Sequence, residues 1–84
     1  MAKQTTKKKL PEFCIALGKH MRALRIERDL SIEEIAYKAG IDGQNLRKYE
    51  LGKQEMKVSM LKRIANAFEM TTSELLSFDD KVGH

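Results

Sequence analysis

Phe13, Leu17, Met21 and Leu24 recur at intervals of three and four residues, the spacing that lines up one face of an α-helix. The pattern predicts a first helix from Pro11, whose missing N–H costs nothing in a first turn, to about Arg28. "SIEE", from Ser31, is a capping box: the serine oxygen takes one orphan N–H while Glu34 reaches back to another. A second helix follows to about Ala39 and buries Ile35, Ala36 and Ala39. Gly40 ends it, because the residue after a helix commonly takes a left-handed conformation that glycine tolerates most cheaply. Asp42 is placed to cap a third helix over residues 43 to about 51, and Gly52 stops that one. Val58, Leu61, Ile64, Ala65 and Phe68 mark a fourth amphipathic segment, although Lys57 offers it no capping side chain. A second box, "TTSE", with Thr71 and Glu74, opens a short fifth helix bearing Leu75 and Leu76. No alternating run and no hairpin dipeptide falls between apolar segments, so the expected class is all-α: a compact bundle of about five short helices.

The second and third helices, joined across "AGID", form a helix-turn-helix, in which Ala36 permits close approach and Ile41 plugs the corner. On the third helix, steps of 100° put Leu46, Tyr49 and Glu50 on one side. Gln44, Lys48 and Leu51 fall opposite, with Asn45 and Arg47 on the flanks. A polar outer face is by itself what most surface helices carry. This helix, however, is short, follows a glycine-broken turn and bears its polar residues toward its N-terminal end, where a helix-turn-helix meets base edges. Gln can bond the N6 and N7 edge of adenine, and Lys or Arg the O6 and N7 of guanine, each good pair discriminating by about 1 to 3 kcal/mol.

Composition narrows the class further. Eighty-four residues suit one domain, and 42% apolar with 33% charged residues is the profile of a water-soluble globule. No run approaches the roughly 18 apolar residues that span a bilayer, so no membrane association is expected. Glu12 and Lys19 bracket too short an apolar run for a signal peptide, which predicts a retained N-terminus and a cytoplasmic protein. The net charge of +4 is uneven: the first 28 residues carry eight Lys and Arg against Glu12 and Glu27. That asymmetry suits a polyanion. "MAKQTTKKK" lacks apolar periodicity, so residues 1–10 are expected as a flexible basic arm, 11–78 as the domain and 79–84 as a tail. Cys14, His20 and His84 have no metal-ligand spacing, and no nucleophile stands beside a base, so neither metal, cofactor nor enzymatic activity is expected. Cys14 is read as a small hydrophobe and His20 as a surface side chain.

From Leu17 to about Leu76 the segments "LGKHMRALR", "LSIEEIAYKAGID", "NLRKYELGK", "LKRIANAF" and "SELL" fall in order, and the chain resembles the Cro and phage-repressor (XRE-like) helix-turn-helix family. The resemblance implies a lambda-repressor-like fold and a sequence-specific regulator of transcription, probing the major groove of double-stranded DNA as a twofold homodimer. It places base contacts at Gly43, Gln44 and Lys48, to which the helical wheel adds the flanking Asn45 and Arg47, and makes Asp42 a structural cap. It also implies an ion pair between Arg25 and Glu50, tying the first helix to the end of the third. Lys53 and Gln54 match the loop that lies on the phosphate backbone. Where the family often has a phosphate-reaching Gln this chain has Ile32, leaving the backbone N–H groups of the second helix for that contact. Lys7, Lys8 and Lys9 match arms that embrace the duplex, and equally suit a solubilising tail. Phe68, Met70, Leu75, Leu76 and Phe78 are either a dimer surface or monomer core. The other reading is a protein-interaction module of the same fold, an antitoxin or adaptor, toward which Gly43, Ile32 and an exposed Leu51 lean.

Overall fold

In a computed structural model, which describes residues 10–78, five helices follow one another: α1 (Glu12–Glu27), α2 (Ile32–Ala39), α3 (Gly43–Glu50), α4 (Val58–Ala67) and α5 (Thr72–Leu75). The expected arm, with Lys7, Lys8 and Lys9, and the expected tail lie outside the described residues, apart from Leu10. Both capping boxes form as expected. Ser31 Oγ accepts from the Glu34 N–H at 3.0 Å while the Ser31 N–H donates to Glu34 Oε1 at 2.8 Å. Thr71 and Glu74 repeat the exchange at 3.0 and 2.9 Å. Pro11, in contrast, stands just before α1 with extended backbone rather than inside its first turn. Asp42 precedes α3 in the right conformation, but its side chain makes no capping hydrogen bond, which corrects the expected cap.

Four helices end the same way. Asp29, Gly40, Gly52 and Glu69 all have φ between 58° and 72°, in the left-handed region. Behind each, the next N–H bonds a carbonyl five residues back: Leu30 to Arg25, Ile41 to Ala36, Lys53 to Lys48 and Met70 to Ala65, all at 2.9 Å. Only two of the four turning residues are glycines; the others accept a conformational cost of about 1 kcal/mol. What holds them is the residue that follows: Leu30 and Met70, like Ile41, pack against the core.

Met21, Ile35, Leu46, Ile64, Phe68 and Leu75 are the largest wholly buried side chains, at least one from each of α1 to α5 or its immediate C-terminus. Burial of each contributes about 1.5 to 3 kcal/mol. Ile32 joins this core, which the periodicity of α2 left unmarked. Val58 and Phe13 do not: they are 81% and 41% exposed. Phe68 and Leu75 are core residues of the single chain, while Met70, Leu76 and Phe78 pack on its edge, so this segment is largely monomer core.

Two contacts position α3 from behind. Gly18 brings α1 against its C-terminal turn, so that a Cβ there would stand 2.3 Å from the Tyr49 carbonyl oxygen. Arg25 grips Glu50 with two parallel bonds, Nε to Oε2 at 2.8 Å and Nη2 to Oε1 at 3.1 Å, and uses Nη1 on the Leu30 carbonyl at 2.9 Å. The ion pair implied by the resemblance is therefore present, with side-chain exposures of 12% and 4%.

Candidate nucleic-acid interface

The corner between α2 and α3 is built from backbone geometry and one arginine. Gly40 reverses the chain at φ 72°, and Ile41 folds over the corner as a partly buried plug. Arg63 of α4 then donates from Nε to the Ala39 carbonyl at 3.0 Å and from Nη2 to the Gly40 carbonyl at 2.7 Å. These are carbonyls that a helix end leaves unpaired, so Arg63 fixes the end of α2 and with it the angle at which α3 departs. Sequence reasoning missed Arg63: an arginine on an amphipathic helix carries no sign that it bonds a turn 23 residues away.

On α3 the inward side is set by burial. Leu46, Tyr49 and Glu50 are buried; Gln44, Arg47, Lys48 and the following Leu51 are exposed. Asn45 is half-buried on the flank. Gly43 is half-buried as well, and a Cβ added there would meet the Ile32 methyl Cγ2 first. Ile32 itself is 7% exposed, so any phosphate contact at that position belongs to the backbone N–H groups of α2 rather than to the side chain. Lys53 and Gln54 are exposed just beyond the Gly52 turn, where the Lys53 N–H is tied to Lys48.

Electrostatics sort these groups further. With Glu50 satisfied by Arg25, α3 and its loop present Arg47, Lys48 and Lys53 as cations. Arg47 and Lys48 lie in the last turn, where the helix dipole favours positive charge. The Glu50 hydrogen bonds raise the Arg25 pKa against the opposing effect of burial, with the charges of Glu50 and then Glu33 adding to it. Glu33 and Glu34 make the first turn of α2 acidic, and Asp42 and Glu55 add negative charge nearby.

Two residues away from this face differ from expectation. His20 is a packed side chain, not a surface one: its ring stacks on Phe78 at 4.8 Å and Nε2 is buried without a partner among the described residues. Burial pushes its pKa below the usual histidine value, against a smaller opposing pull from Glu27. Cys14 is half-buried on the wall of an apolar cavity of about 160 Å³ shared with Phe13, Leu17 and Leu61. Burial, and then the neighbouring Glu55 carboxylate, raise its thiol pKa, which keeps it protonated and unreactive. Among the described residues no cluster of His, Cys, Asp and Glu could hold a metal ion, and no helix is long and apolar enough to cross a membrane.

This arrangement of capped helix, left-handed glycine, plugged corner and outward-facing second helix can be compared with known families. A profile described as a helix-turn-helix domain matches residues 18–80. The chain belongs to that family. It is 35% identical over 57 residues to the cryptic phage CTXphi transcriptional repressor RstR of Vibrio cholerae, a match covering 68% of this chain and 51% of that one. The chain thus spans about half the length of this curated relative. Among solved structures it is similar to the restriction-modification controller protein C.AhdI from Aeromonas hydrophila, with a TM-score of 0.73, 25% identity, and coverage of 77% of this chain and 98% of that one. It is also similar to the hypothetical transcription factor NHTF from Neisseria, at 0.69 and 26%, covering 88% of each. Fold class and family therefore agree with the resemblance drawn from the sequence segments.

Proposed function

We propose that this chain is a sequence-specific double-stranded DNA-binding regulator of transcription, acting as a repressor in the cytoplasm. The observation that carries this reading is the division of α3: Leu46, Tyr49 and Glu50 lock one side into the core, while Gln44, Arg47 and Lys48 stand free on the other. Family membership and the relative's role as a phage transcriptional repressor support it. Gln44 and Lys48 read base edges with Gly43 at the point of closest approach, Arg47 and Asn45 flank them, and Lys53 and Gln54 hold phosphates. The N–H groups of α2 at Ile32, and Lys7, Lys8 and Lys9, add phosphate contacts. An eight-residue helix spans too few base pairs for a unique site, so two chains bind a twofold operator with half-sites about one helical turn apart. Repression is then steric, by exclusion of polymerase.

Leu51, 55% exposed beside the reading face, favours the second reading, a module that docks on a protein. Selection of bound duplexes from a random pool at two salt concentrations separates the two. The regulator yields a defined motif; Gln44→Ala and Lys48→Ala relax it at particular base pairs by about 1 to 3 kcal/mol, and Lys53→Ala weakens all sequences alike while reducing the log–log salt slope by about 0.9. Equal losses on every sequence for all three variants would refute the assignment of readers.

A further inference from the structure

Gly43 opens α3 without a side chain, yet the place such a side chain would occupy is lined. A Cβ at residue 43 would have Ile32 Cγ2 at 3.4 Å and Glu33 Oε2 at 4.0 Å. Ile32 is buried and supplies a fixed apolar wall; Glu33 is exposed, so its carboxylate is the polar group standing where residue 43 offers none. Two positive features attract it. The Gly43 and Gln44 N–H groups that open α3 have no backbone partner among the described residues, and the Asp42 side chain makes no capping bond to them. The Arg25 guanidinium, immobilised by Glu50, also lies within range of the Glu33 charge.

Resting on the DNA-reading assignment above, we propose that Glu33 of α2 is a specificity-determining residue of this chain, its carboxylate replacing the absent side chain of Gly43 and accepting a hydrogen bond from the exocyclic amine of cytosine. An ionised carboxylate only accepts. In the major groove, cytosine N4 is the donor it answers; adenine N6 also donates but stands beside the N7 acceptor, which repels a carboxylate, and guanine and thymine present acceptors. Phosphates repel it too. Every register without an amine opposite Glu33 is thereby penalised, so the residue sharpens selectivity and lowers affinity for arbitrary sequence. Lys48 differs from it in that its ammonium, besides reading a base edge, is attracted to any duplex.

The test compares duplex selection and competition binding for the full chain and for Glu33→Gln, Glu33→Ala and Gln44→Ala, with thermal melts confirming that each variant folds. Wild type selects cytosine at a position next to the one that Gln44→Ala relaxes. Glu33→Gln moves that preference from cytosine to adenine, whose N6 and N7 an amide matches, with a loss of about tenfold on the original site. Glu33→Ala leaves the position unread and raises affinity for unrelated duplex. The proposal is overturned if wild type selects a motif and both Glu33 variants keep every base preference, changing overall affinity alone. Wild-type binding without sequence preference instead overturns the DNA-reading assignment itself, and this proposal with it.

Discussion

Replacing Gly18 by alanine sets two effects of opposite sign against each other. Inside an exposed helix, glycine to alanine stabilises by about 1 kcal/mol, because alanine has less backbone entropy to lose. At residue 18 the added Cβ would lie 2.3 Å from the Tyr49 carbonyl oxygen, 2.9 Å from that of Glu50 and 3.2 Å from the Glu50 carbonyl carbon. Carbon and oxygen approach no closer than about 3.3 Å in ordinary contacts, so α1 and the last turn of α3 must separate by about 1 Å. All three atoms are backbone, and none can rotate aside. Overpacking costs about 1 to 3 kcal/mol and sometimes more, and a contact against backbone that cannot yield falls in the upper part of that range, about 2 to 3 kcal/mol, which exceeds the propensity gain. A net loss of about 1 to 2 kcal/mol lowers the melting midpoint of a domain this size by about 5 to 15 °C. Gly43→Ala is the matched control. Its Cβ meets Ile32 Cγ2 at an ordinary 3.4 Å, so stability holds or rises by up to about 1 kcal/mol. Thermal and urea unfolding followed by circular dichroism measure both. A Gly18→Ala midpoint equal to or above that of wild type would refute the close approach of α1 to α3.

Two further outcomes follow from buried polar groups. Glu50→Ala leaves the largely buried Arg25 guanidinium with the Leu30 carbonyl but no counter-ion, which costs about 3 to 5 kcal/mol in urea unfolding; a loss below about 1 kcal/mol would mean that the pair is effectively solvated. The lowered pKa of His20 means that the folded chain resists protonation while the unfolded chain takes up a proton near its ordinary value of about 6.5. Stability contributed by neutral His20 is thus full above that value and lost as pH falls toward the folded-state pKa. His20→Phe flattens this part of the stability profile in acid unfolding, and an unchanged profile would contradict the burial of Nε2.

Local rules carried far in this chain. Ser31, Thr71 and Gly40 announce their helix boundaries because each acts through atoms within a few residues of itself. The inward side of α3 was legible for the same reason, since a 3.6-residue period fixes which side chains share a face. The end of α1 near Arg28 was legible from its periodicity, but the left-handed turns at Asp29 and Glu69 were not: non-glycine residues take that backbone where Leu30 and Met70 are held by the core, a tertiary cause with no local mark. Gly18, Arg63 and His20 share that difficulty, each depending on a partner at least 23 residues away. Asp42 shows the converse. Its residue type and position favoured a cap, yet the carboxylate makes no capping bond. Glu33 was read only as an interior member of the Ser31 box, because what matters is its distance to Gly43.

Amide chemical-shift perturbation of isotope-labelled protein, titrated with a duplex it has selected, addresses the role of α3 most directly. The largest changes are expected at Gly43, Gln44 and Lys48, with Lys53 following, and all should diminish as salt is raised. Changes centred instead on Phe13, Met56 and Val58, with the first two turns of α3 unmoved, would contradict the claim that this helix meets DNA.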